Sequence, residues 1–252
     1  MKSKITLLVS LLFSSVLLFA QAEATAVAAE AQSLEDRIEQ AFSYSFGMQR
    51  NMLAPIAEEL RTARETTPTA SNAYWLAYTN YLSAIFLSSI ELPEEAQTAL
   101  GEAISILEAQ EELDAEAHVI LGSAYSYSIG FDRGKAIILS SKANKHYQKA
   151  LKADPENLRA HLALAKSDYY TPKQYGGGQK VEKHLLKALS LPEKRSEEEN
   201  APTWGREEVY YFLVQYYERE DRLDDAKLYA KQGLKQYPEH QGLQRLIAGL
   251  DY

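Results

Sequence analysis

Residues 210–238 read YYFLVQYYEREDRLDDAKLYAKQGLKQYP, and this stretch decides the fold. Its first half carries Tyr210, Leu213, Val214 and Tyr217 at spacings of three and four. That spacing gathers large apolar side chains onto one stripe of a helix. Its second half keeps the period with small residues, Ala226, Ala230 and Gly233. Glu220-Asp221-Arg222 forms a short polar turn between the halves, and Pro238 ends the unit, since proline cannot continue a helix. Large residues on one helix facing small ones on the next let two antiparallel helices approach closely. The stretch therefore predicts a helical hairpin.

The same arrangement recurs upstream. His118, Leu121, Gly122 and Tyr125 precede Ala143, Tyr147, Ala150 and Pro155, in the segments AEAHVILGSAY (115–125) and HYQKALKADPEN (146–157). His161, Leu164, Ala165 and Asp168 precede Val181, Leu185, Ala188 and Pro192. Tyr74, Ala77, Tyr78 and Tyr81 pair with Leu100, Ile104 and Leu107. Ile38, Ala41, Phe42 and Ser45 pair with Ile56, Leu60, Ala63 and Pro68. Residues 239–250 (EHQGLQRLIAGL) form a last helix that covers the final apolar face. The polar run 192–203 (PEKRSEEENAPT) is expected to be a solvated linker before the last hairpin, within a single domain spanning 33–252.

The large-then-small alternation closed by proline resembles the tetratricopeptide repeat, in the manner of an exported bacterial member. The resemblance implies an all-α, right-handed solenoid of about five helical hairpins plus a C-terminal capping helix. It also implies a concave groove, lined by the first helix of each hairpin, that holds a peptide or protein. Asp168 departs from the tyrosine the pattern calls for, although Tyr169 and Tyr170 follow it. Register then assigns Trp75, Thr79, Tyr127, Arg159, Lys166, Tyr170, Tyr211 and Arg219 to the groove. Trp, Tyr and Arg are the types that anchor protein interfaces. Tyr74, Tyr125 and Tyr217 are assigned to the core. The family's clamp for carboxylate-ended peptides is missing, because Trp75 and Val119 stand where lysine is needed and Thr79 and Ser123 where asparagine is.

Two enlarged turns, 126–140 and 171–180, each join a first helix to its second and so share one edge of the solenoid. Phe131, Arg133, Tyr175, Gly176 and Gly177 lie there as a second candidate surface. The Gly176-Gly177-Gly178 run precedes a helix, where backbone N–H groups can hold an anion, but the phosphate-loop pattern is absent and a plain turn accounts for it. The segment 171–177 (TPKQYGG) also resembles a turn of exported bacterial tetratricopeptide proteins, some of which are accessory components of solute transport.

The chain opens with Lys2, Lys4 and an apolar run from Ile5 to Ala20, followed by small residues through Ala24. This predicts a signal peptide over 1–22, cleaved after Ala22, rather than an anchor, since a span needs about 20 apolar residues. Residues 23–32 then form a flexible spacer, and the mature chain is expected in the periplasm or secreted. The net charge is −8, and loss of Lys2 and Lys4 makes it more negative. Such acidity disfavours nucleic acids and anionic membranes as partners. No cysteine is present, which excludes disulfides and thiol chemistry. No nucleophile elbow, cofactor motif or HExxH appears, so no cofactor, metal site or catalytic residue is assigned. His118 and His161 occupy equivalent first-helix positions, where packing and local bonding outweigh metal ligation. The functional expectation is a non-catalytic module that binds a protein or peptide. The alternative is a solute-transport accessory subunit with a small-molecule pocket.

Overall fold

The computed structural model describes residues 32–192 and 201–250. The expected signal peptide, residues 23–31 of the spacer and residues 193–200 of the linker lie outside the described residues. Among those described are eleven α-helices: α1 Leu34–Met48, α2 Ala54–Thr66, α3 Ala70–Ser89, α4 Pro93–Glu108, α5 Ala115–Ser128, α6 Ala136–Ala153, α7 Leu158–Tyr170, α8 Val181–Ser190, α9 Arg206–Arg219, α10 Leu223–Gln236 and α11 Gln241–Leu250. Short 3-10 turns, Arg133–Lys135 and Lys173–Tyr175, lie inside the two enlarged loops.

Local chemistry sets the helix starts. Ser33 and Asp36 form a reciprocal capping box on α1, and the side chains of Thr69, Asp114 and Asn157 accept backbone N–H groups at the starts of α3, α5 and α7. Each such cap is worth about 1 kcal/mol. Pro55 and Pro93 sit in the first turns of α2 and α4, where no intrahelical N–H is lost. Two hairpins turn through a left-handed residue, Glu91 (φ 60°) after α3 and Asp221 (φ 57°) after α9. In both, the next residue donates back into the last helical turn, Leu92 N–H to the Leu87 carbonyl and Arg222 N–H to that of Tyr217.

The helices α3/α4, α5/α6, α7/α8 and α9/α10 pack as hairpins, and α11 covers α9 and α10. Odd-numbered helices also pack on one another in sequence, from α1 on α3 to α7 on α9, and so form a continuous inner layer. In the first unit α1 and α2 both lean on α3, and an Arg37–Glu59 ion pair ties them together. The small-residue logic is visible at Gly122, where an added Cβ would lie 2.6 Å from the Tyr147 ring. One apolar cluster runs from Ile38 to Ala163 and a second from Leu162 to Leu250. Trp204, in the loop before α9, packs against both.

Candidate binding groove

The loop before α9 is not a solvated linker over its described part. Thr203 donates its backbone N–H and its hydroxyl to the two carboxylate oxygens of Glu35 on α1, both at 2.7 Å. The solenoid thus closes on itself, with residues 168 apart in sequence bonded to each other. The Trp204 indole stacks on Tyr78, with centroids 4.9 Å apart and planes 13° apart. Its Nε1–H donates to the Tyr74 hydroxyl at 2.9 Å. Its carbonyl accepts from Arg159 Nη1 at 2.8 Å. Arg159 in turn grips Glu116 through two nitrogens, each 2.6 Å from an oxygen. A non-helical piece of the chain, 201–205, ending in a left-handed Gly205 (φ 112°), is therefore held by α1, α3 and α7. A cavity of about 1500 Å³ opens beside it.

Beyond Trp204 the groove is aromatic. Tyr81 and Tyr127 meet edge to face at 6.1 Å, and Tyr127 meets Phe131 likewise at 5.9 Å. Tyr169, Tyr170 and Tyr211 each set an edge or face against Phe212. The Lys166 ammonium lies 5.1 Å from the Phe212 centroid and 3.3 Å from a Glu208 oxygen. Burial alone would push that ammonium towards neutrality, but Glu208 and the hydroxyls of Tyr81 and Tyr170 outweigh it and keep it charged.

The residues assigned by register separate into groups. Tyr127, Lys166, Tyr170 and Tyr211 share this groove, and Tyr170 is 68% exposed. Arg159 is there too, but as the clamp on Trp204. Arg219 stands at the C-terminal end of α9, 3.8 Å over the Tyr169 ring and bonded to the Tyr169 carbonyl. Trp75 and Thr79 are corrections, being 1% and 0% exposed. Helix α3 is enclosed by α1, α2, α4 and α5, so positions that face the groove on other inner helices are covered on this one. Thr79 Oγ1 returns its hydrogen bond to the Trp75 carbonyl one turn back, and Trp75 sits edge-on to Tyr74 and Tyr78. Tyr74, Tyr125 and Tyr217 are buried.

On the enlarged-turn edge, Arg133 and Tyr175 are exposed, whereas Phe131 is half-buried against Tyr127. The glycine run is a closed turn. Gly176 has φ 86° and Gly178 φ 84°, and a Cβ on Gly177 would fall 1.9 Å from the Thr171 carbonyl oxygen. The N–H groups of Gly176, Gly177 and Gly178 go to the carbonyls of Lys173, Pro172 and Asp168, and that of Lys180 to the Asp168 carboxylate at 2.6 Å. Those donors are spent, and Asp168, the outlier of the repeat pattern, is explained as the side chain that fastens this turn. His118 and His161 each face the histidine of their own second helix, His146 and His184, with Nδ1 atoms 3.0 and 3.1 Å apart.

Sequence reasoning missed Trp204, Tyr78 and the acidic residues around them. A single large aromatic between Pro202 and Gly205, just after a charged run, was the available signal. Glu39 was not legible, because its neighbours Glu207 and Glu208 come from α9.

No family model matches the chain, and no curated protein does. Among solved structures, TTC0263, a thermophilic tetratricopeptide-repeat protein of Thermus thermophilus, superposes with a TM-score of 0.56 at 19% identity, over 86% of this chain and 98% of that one. The HusA haemophore from Porphyromonas gingivalis superposes with a TM-score of 0.51 at 24% identity, over 66% of this chain and 84% of that one. The chain thus has a tetratricopeptide-like fold, a solenoid of helical hairpins without strands among the described residues.

Proposed function

We propose that this chain is a non-catalytic, exported binding module whose concave groove takes an extended segment of another protein. The signal peptide over 1–22 would deliver it to the periplasm or beyond. One observation carries the reading: the inner helices already hold a non-helical segment, 201–205, and satisfy it as a ligand would be satisfied. They stack the aromatic side chain on Tyr78, and they bond the indole N–H, a backbone carbonyl and the Thr203 hydroxyl. The neighbouring rings of Tyr127, Tyr170 and Tyr211 offer more surface of the kind that anchors partners, with little side-chain entropy to lose.

Affinity capture from the native envelope tests this, comparing the wild type with Tyr127→Ala/Tyr170→Ala/Tyr211→Ala. The proposal expects proteins retained by the wild type and lost by the variant, with thermal unfolding little changed. Equal retention by both would contradict it. The volume of the cavity, about 1500 Å³, favours a second reading, a small-molecule pocket serving solute transport. A stoichiometric small-molecule adduct in native mass spectrometry, with no protein retained, would select that one.

A further inference from the structure

Charge is unevenly spread along this chain. Of its 27 lysines and arginines and 35 carboxylates, residues 133–153 and 171–192 hold ten of the former and one of the latter. All ten basic residues are exposed. The acidity that counts against anionic surfaces for the chain as a whole is therefore absent from α6, α8 and the turns that lead into them. On α6, Ala143, Tyr147 and Ala150 are buried. Ile138, Lys142, Lys145, Lys149 and Lys152 follow one another at spacings of four and three on the opposite, outward side. On α8 the buried residues are Val181, Leu185 and Ala188. Lys180, at its N-cap, and Lys183 and Lys187 thus match Lys142, Lys145 and Lys149. Other hairpins do not repeat this, for the matching residues are Ala99, Glu102 and Ile106 on α4 and Asp225, Leu228 and Gln232 on α10. The one acid, Glu182, accepts from the Tyr217 hydroxyl and from Arg222. Four histidines record the resulting field. After burial and, for His146 and His184, the partner histidine, Lys149 lowers His118 and His146, Lys187 lowers His161, and Lys183 lowers His184.

Helix α7 packs on both α5 and α6, so the two enlarged turns lie at the same end of this face. There Ile137 is 86% exposed, Ile138 60% and Tyr175 76%. We propose that this face, basic along α6 and α8 and apolar at its turns, docks the protein on an anionic phospholipid surface. Nine of the ten basic residues are lysines. Interfaces between proteins deplete lysine and favour arginine, whose flat fork clamps a carboxylate. A lipid surface asks only for many charges within a Debye length, while short apolar side chains enter the headgroup layer. The face belongs to the outer helices, so docking there leaves the inner layer open.

Vesicles of phosphatidylcholine, alone or with one third phosphatidylglycerol, test this by co-sedimentation. Protein is recovered from exporting cells, so any contribution of residues 1–22 is common to the wild type and its variants. The wild type is expected to bind the phosphatidylglycerol vesicles at least about tenfold more tightly than the neutral ones, and to lose that preference in high salt. Lys145→Glu/Lys183→Glu, which reverses one matching pair, should weaken this binding at least about tenfold. Lys231→Glu/Lys235→Glu makes the same change in net charge on α10 and should weaken it by less than about threefold. Ile137→Ser/Ile138→Ser should weaken it too, with the salt dependence kept. All these positions are exposed, so thermal unfolding should be little changed. Equal binding to both kinds of vesicle, or equal loss in the two lysine pairs, overturns the proposal. Capture by immobilised polyglutamate but not by the phosphatidylglycerol vesicles overturns it in favour of an acidic protein.

Discussion

Glu39 and His146 make the stability of this fold depend on pH from opposite sides. The Glu39 carboxyl, at about 8 in the folded chain against an ordinary 4.5, keeps a proton that the unfolded chain releases. Its contribution is therefore complete below about pH 4.5 and lost as pH rises through 8. His146 is lowered to about 4 from 6.5 by burial and then by His118, Lys149 and Lys145. Its contribution is complete above 6.5 and lost as pH falls through 4. Thermal melts between pH 4 and 9 should accordingly show Glu39→Gln raising the Tm most at the alkaline end. His146→Gln should flatten the acid limb alone. A uniform shift across the range in either variant would contradict these assignments. His118 and His161 were legible as equivalent positions because the repeat spacing places them so. Their partners were not, because His146 and His184 reach them only through hairpins whose enlarged turns hide the register.

At the scale of the element, the close approach of paired helices rests on small residues at fixed places. Gly122→Ala presses a methyl group into the Tyr147 ring and should cost about 1–3 kcal/mol in urea unfolding, as overpacking does. Glu91→Gly relieves a left-handed turn and should stabilise by about 1 kcal/mol. The hairpins were readable from sequence for the same reason they are stable: the large and small periods sit on adjacent helices and need no distant information. The inner surface was readable only in part. Tyr127, Lys166, Tyr170 and Tyr211 follow from register, since α5, α7 and α9 keep an open face. Trp75 and Thr79 obey the same register on α3, and only the packing of α1 and α2 over that helix shows them to be covered. An idealised repeat carries no signal for how its first unit leans.

At the scale of the whole molecule, a solenoid that could remain an open spiral is closed by its own loop, with Glu35 bonded to Thr203 and Trp204 set between the two apolar clusters. Trp204→Ala should lower stability by about 2–3 kcal/mol, near the lower end for truncating a buried aromatic because the ring is half-exposed. It should also quicken amide exchange in α1 and α9 together, since the loop joins them. The distance between those helices is invisible to local pattern, which is why the end of the run read as linker, at Thr203, proves to be fastened to Glu35 of α1. The central claim is that binding takes place on the inner face. Photo-crosslinking in living cells tests it most directly, with a benzophenone amino acid placed at Tyr170 in the groove or at Leu228, exposed on α10. The account predicts protein adducts from position 170 and none from position 228. Adducts from 228 with none from 170 would contradict it.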